Sequence, residues 1–313
     1  MPKYRGNLPQ LNGSKYITDG GLETTLIFHE GLVLPEFAAF DLLKNKSGQE
    51  LLFKYFAAYA QIASENNVGF ILEAPTWRAS ASWGEKLGYS RANLITINEQ
   101  AINLLEDVRA EYESETTPFV ISGCIGSRDD GYNPVAMMSV AEAERYHSAQ
   151  IETFKNSNAD FISALTMTYV DEAIGIVYSS QSAGLPVVIS FTVETDGRLP
   201  SGITIKEAVE GVDQATDSAP EYYMINCAHP THFAGELVPD EKWVKRIRGM
   251  RANASTKSHA ELDEAEQLDD GNPVELGQQY KNLIASCEQI NIFGGCCGTD
   301  HRHIDTICRE VIL

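Results

Sequence analysis

Short apolar runs alternate with longer amphipathic stretches along the whole chain. The runs lie at 15–18, 69–72, 119–122, 160–165, 187–191, 222–225, 247–252 and 291–294, each of strand length and apolar enough to be covered on both faces. Between them, 50–64, 98–112, 141–154, 171–182, 205–216 and 274–287 carry apolar residues three and four positions apart, which is one face of an α-helix. Asp171 before an apolar-periodic run, and Pro273 after Asn272, are helix start signals. The crossover after His229-Pro230 is shorter and carries no clear helical pattern. Eight such strands with helices between them predict an α/β protein, a (β/α)8 barrel that takes up 1–313 as one domain. An open doubly wound sheet is the alternative.

The 313 residues are 43% hydrophobic, enough for one large barrel, and no composition shift marks a boundary. A net charge of −20 opposes nucleic acid or an anionic membrane as partner and suits a small neutral or cationic ligand. The start Met1-Pro2-Lys3-Tyr4-Arg5 lacks the apolar core of a signal peptide, and no apolar run reaches the roughly 18 residues of a membrane span. Six unevenly spaced cysteines do not form a disulfide framework. The expected location is the cytoplasm. Nothing here constrains the oligomeric state.

The cysteines carry the most specific signal. In Gly294-Gly295-Cys296-Cys297-Gly298 the glycines free the backbone to bend, so that adjacent side chains, which on a regular strand point to opposite faces, can reach one point. Cys227, at the end of the apolar run before His229-Pro230, offers a third thiolate. Three protein ligands leave one tetrahedral position open, the arrangement of a catalytic zinc site. Buried packing cysteines, or a strained bond between the adjacent pair, are the alternatives. In a barrel, Cys227 ends strand six and Cys296-Cys297 end strand eight, so all three fall at the face where such barrels place their active sites.

Asp19-Gly20-Gly21-Leu22-Glu23-Thr24 after the first strand, Asn226-Cys227 after the sixth and Gly294-Gly295-Cys296-Cys297-Gly298-Thr299 after the eighth resemble the marks of the homocysteine S-methyltransferase family. The resemblance implies a Zn2+-containing barrel that methylates the thiol of homocysteine to give methionine, with Cys227, Cys296 and Cys297 as metal ligands. A free thiol titrates near about 8.5, so little of it is nucleophilic thiolate at neutral pH, and coordination to zinc deprotonates it. Three cysteinates keep a fourth sulfur electron-rich, so that zinc activates and positions the nucleophile. The resemblance implies an activated methyl donor, S-methylmethionine or S-adenosylmethionine, or in another branch betaine. The chain has no additional length for a cobalamin or folate module, and its glycine-rich patches lack the context of a dinucleotide site. The same chemistry on another small thiol or selenol, and a non-catalytic barrel that binds a metal or metabolite, are the competing readings.

By the same resemblance Asp19 and the Gly20 backbone hold the amino-acid part of the acceptor; an Asx-turn or cap is the plainer role for such an Asp. Asn226 either orients substrate or satisfies backbone groups, and Asn253 has similar standing. The family usually carries a Glu that engages the substrate amino group at the end of strand four; counting back from Glu172-Ala173, that position is Leu165, which accepts no hydrogen bond. Glu73, ending the second strand, is the candidate substitute, with pairing to Arg78 as its plainer role. Trp77 either faces a cationic donor or packs the rim. His229, His301 and His303 lie near the cysteines in sequence and could supply a fourth ligand or support the ligands, with solvated loop and helix-start positions as the plainer reading; Cys124, Cys287 and Cys308 are expected in the packing. The acidic stretch 258–270 is a mobile cover for the barrel mouth or a solvated face.

Overall fold

Eight parallel strands pair in sequence order, and the last closes on the first, with Tyr16 opposite Ile292 and Ile17 opposite Phe293. That pairing rules out the open sheet. The computed structural model describes residues 1–132, 136–264 and 267–312. The strands are β1 (Tyr16–Ile17), β2 (Gly69–Glu73), β3 (Phe119–Ile125), β4 (Phe161–Met167), β5 (Val187–Phe191), β6 (Tyr223–Asn226), β7 (Ile247–Ala252) and β8 (Ile292–Gly295). The expected runs all become strands, although β1 keeps only two residues and β3 and β4 continue past their apolar runs toward the barrel mouth.

The helices are α1 (Leu22–Thr24), α2 (Lys46–Glu65), α3 (Ala81–Lys86), α4 (Arg91–Tyr112), α5 (Val140–Lys155), α6 (Val170–Ala183), α7 (Ile205–Thr216), α8 (Pro230–Phe233), α9 (His259–Asp263), α10 (Pro273–Ser286) and α11 (His301–Ile312). Their starts have local causes. Ser139 with Glu142, Thr204 with Glu207 and Ser258 with Glu261 form reciprocal capping boxes, and the Asn272 side chain caps α10 ahead of Pro273. The unclear crossover after β6 is only the single turn α8 followed by 3-10 turns. Helix α11 was not among the helical segments given above, yet it buries Ile304, Ile307, Cys308 and Val311, which have helical spacing.

Two apolar regions follow from strand alternation. Outward residues such as Phe70, Ile121, Ile189, Met250 and Phe293 pack under the helices. Inward residues Tyr16, Ile71, Val120, Phe161, Val188, Met224 and Ile292 fill the lower barrel, closed from below by Leu8, with Tyr4 and Leu11 against it. Arg5 pins this plug by donating to the carbonyls of Phe154, Lys155, Ser157 and Ala159.

Two residues further along each strand the inward positions change character. They are Thr18, Glu73, Ser122, Ser163, Ser190, Asn226, Arg251 and Gly294. The barrel is therefore apolar below and polar toward the strands' C-terminal ends.

Candidate active site

The candidate metal ligands follow β6 and β8. Cys227 has φ 53°, a left-handed conformation that non-glycine residues rarely adopt and that turns its side chain out of the strand direction. After β8 the bend relies on Gly298, at φ 79°, and on Gly295, where an added Cβ would collide with Thr299. Strand β7 ties the two ends together. Cys227 N donates to Arg251 O (3.0 Å), Cys296 N to Ala252 O (2.8 Å) and Ala254 N to Cys297 O (3.0 Å).

The three sulfurs lie within 4.8 Å of one another. Cys227 and Cys297 are 3.7 Å apart, close to the roughly 3.8 Å edge of a tetrahedron built on a zinc–sulfur bond of about 2.3 Å. Cys227 and Cys296 are joined as a disulfide, a bond the sequence reading did not expect. It lies inside the candidate ligand set, so only the reduced protein offers three thiolates. The adjacent cysteines are not bonded to each other, and Cys124, Cys287 and Cys308 are buried packing residues as expected.

Several neighbours of this cluster escaped the sequence reading. Tyr132, from the loop after β3, donates to Cys227 Sγ at 3.2 Å and has its hydroxyl 3.8 Å from Cys297 Sγ. Its ring lies 4.1 Å from that of His259, whose Nε2 is 2.5 Å from Cys227 O and whose Nδ1 is 3.2 Å from Glu194 Oε1. No local pattern announces a loop tyrosine. His259 belongs to the acidic stretch 258–270, which is thus not simply a solvated face: His259 is buried, Asp269 pairs with Lys257 and Ser255, and Asp270 pairs with Arg302. Residues 265 and 266 of that stretch lie outside the described ones.

Below the sulfurs lies the polar layer. Asp19 is buried, with Oδ1 accepting from Arg251 (2.8 Å) and Oδ2 from Tyr55 OH (2.9 Å). Gly20 O accepts from Tyr55 (3.1 Å) and Arg251 (3.4 Å). Glu73 accepts from Ser163 Oγ at 2.9 Å, and Ser163 in turn accepts from Ser122. Burial raises the Glu73 carboxyl above its ordinary range, against the opposing pull of Arg251. Asn226 is engaged with the end of β4 and with β5: its Oδ1 accepts from Thr166 N and Ser190 Oγ, and its Nδ2 donates to Thr166 Oγ1. These bonds satisfy groups at the strand ends and support Thr166 at φ 62°. Leu165 is 7% exposed and contributes only its carbonyl, which accepts from Trp77 Nε1.

Arg78 does not pair with Glu73. It lies over the rings of Trp83 and Trp77 and donates to Glu36 O. Trp77 is half-buried, with its Nε1 donating to the Leu165 carbonyl and its ring against Gly126. His229 and His303 are buried, contrary to expectation. Burial, with His232 nearby, lowers His229 to about 4, and His303 is held between Asp300 and Asp270 O. His301 is exposed at the start of α11, as expected. Asn253 is buried with Oδ1 unpartnered among the described residues. Arg251, not singled out from sequence, carries a readable signal: its neighbours Met250 and Ala252 are outward and apolar, so a charged residue between them must enter the barrel.

Fold and site together define a (β/α)8 barrel enzyme with three cysteines gathered at the C-terminal ends of its strands. The sequence profile of homocysteine S-methyltransferase matches residues 16–311, and the chain belongs to that family. Among solved structures it is similar to the homocysteine methyltransferase MmuM from Escherichia coli. With the oxidised form it shares a TM-score of 0.75 and 14% identity over 97% of both chains. The metallated form gives 0.75 and 15% over 97% of this chain and 99% of that one, and the apo form 0.67 and 16% over 95% and 96%. These likenesses establish the fold. Among the described residues, no helix is long and apolar enough to cross a membrane.

Proposed function

We propose that this enzyme moves a methyl group from a sulfonium donor, S-methylmethionine or S-adenosylmethionine, to the thiol of homocysteine, forming methionine. The observation that carries the reading is the gathering of Cys227, Cys296 and Cys297 within 4.8 Å in a chain of this family. Those residues would hold a zinc ion, and the 3.7 Å between Cys227 and Cys297 suits tetrahedral thiolate ligation. When bound, the ion supplies the positive charge that keeps an acceptor thiol deprotonated at neutral pH.

The chain's own residues do the rest. Tyr132 and His259 brace Cys227 through its sulfur and its carbonyl. Asn226 fixes the end of β4, and Glu73 presents a carboxylate inside the polar layer. In the transfer a bond forms between acceptor sulfur and methyl carbon while the donor's sulfur–methyl bond breaks. Its electron pair stays on the donor, which leaves as a neutral thioether, and the acceptor's proton passes to solvent. A reducing location such as the cytoplasm would keep the Cys227–Cys296 pair open. Leu165 favours a second reading, in which the acceptor is a different small thiol or selenol.

Reduced protein should bind about one zinc per chain, and Cys296→Ser should lose most metal and activity together. Metal analysis alongside turnover tests this. Full activity in a metal-free Cys296→Ser protein would contradict it.

A further inference from the structure

Arg251 is a buried cation that the proposed chemistry leaves without a task. It lies on β7, between the two cysteine-bearing strands, and its side chain is 7% exposed. The guanidinium donates to Asp19 Oδ1 and Gly20 O, while Tyr55 takes Asp19 Oδ2. Both oxygens of Asp19 are therefore engaged and its charge is balanced. Glu73 is in a different state. Its Oε1 accepts from Ser163, but its Oε2 is buried and has no hydrogen-bond partner among the described residues. An orphaned carboxylate oxygen buried among polar side chains is costly unless a ligand completes it. Leu165 supplies no competing acceptor.

We propose that Glu73 and Arg251 read the charged head of the acceptor: Glu73 Oε2 accepts from its ammonium group, and Arg251 donates to its carboxylate. Asp19 is then a positioning residue that acts through Arg251. A guanidinium carries five donors in a planar fork, so one edge stays on Asp19 while another takes the ligand. The acceptor class follows: a small thiol bearing both an ammonium and a carboxylate, in preference to a simple thiol acid or thiol amine. This rests on the methyl-transfer reading of the same site.

The test compares homocysteine with its des-amino analogue 4-mercaptobutanoate and its decarboxylated analogue 3-aminopropanethiol, by kcat/KM and by calorimetric binding to zinc-loaded protein. In Glu73→Gln the preference for homocysteine over 4-mercaptobutanoate should fall about tenfold or more, the loss expected for one charged hydrogen bond. In Arg251→Met the preference for homocysteine over 3-aminopropanethiol should fall similarly. Because that change strands Asp19 without its counter-ion, the charge-neutral Asp19→Asn/Arg251→Met protein is measured beside it and should give the same ratio. Equal losses for all three thiols in Glu73→Gln would overturn the proposal. So would an ammonium preference abolished by Asp19→Asn and kept in Glu73→Gln. Should the wild type methylate none of these thiols, the methyl-transfer reading fails. The calorimetric preferences still judge the head-group assignment, which is overturned if homocysteine binds no more tightly than both analogues.

Discussion

Cys227 joins backbone and chemistry in one residue: a left-handed φ of 53° aims its sulfur at Cys296 and Cys297. At this scale the cysteines were legible because glycine-flanked vicinal cysteines have few other uses, and Cys227 stood at a strand end. Tyr132, His259 and Glu194 were not, since loop paths and tertiary contacts leave no periodic trace. Asp19 was legible as a residue of the site, but its partner Arg251 was not, because the pair is 232 positions apart in sequence. Glu23, just past the first strand, gives a prediction of its own. Burial raises its carboxyl from 4.5 to about 7. Below the unfolded value both states hold the proton and the group is neutral for stability. As pH rises toward 7 the unfolded chain ionises first, so stability falls, and above 7 the penalty is constant. Glu23→Gln should therefore raise the urea midpoint at pH 8, with the difference vanishing near pH 4.

At the scale of elements, the apolar runs and helical spacings located every strand and the main helices, because a parallel strand covered on both faces must be apolar and an amphipathic helix must repeat. Strand ends were harder to read: β3 and β4 continue as far as Ile125 and Met167, where the ladder outlasts the apolar run. Helix α11 has regular apolar spacing at Ile304, Ile307, Cys308 and Val311, but it spans only twelve residues at the chain's end, too few for its period to stand out. Tyr280 on α10 links a helix to the site, accepting from Ala252 N (2.9 Å) and donating to Gly294 O (2.6 Å). Tyr280→Phe removes that link and leaves a buried backbone donor, at a cost of about 1–3 kcal/mol in urea unfolding. Thr204→Ala, which breaks the capping box of α7, should cost about 1 kcal/mol by the same measurement. It should leave metal content unchanged, since the cap's hydrogen bonds run between Thr204 and Glu207 and involve none of the three cysteines.

Across the whole molecule, function follows from where the barrel interior changes from apolar to polar. The lower positions pack and are plugged by the N-terminal segment; the upper ones hold Glu73, Asn226 and Arg251 beneath the sulfurs. The alternation that produces this change was present in the strands, but which polar groups pair across the barrel is set only by its closure. The balance of buried charge is also a property of the closed barrel: removing one partner of Arg251–Asp19 strands the other and should cost about 3–5 kcal/mol, more than removing both. The central claim is thiol methyl transfer at the three cysteines, and the most direct test is to incubate reduced, zinc-loaded protein with homocysteine and S-methylmethionine carrying an isotope-labelled methyl group, then look for labelled methionine by mass spectrometry. The account predicts labelled methionine from the wild type and none from Cys296→Ser. Zinc-replete wild type that yields no labelled methionine, or a Cys296→Ser protein that yields as much, would contradict it.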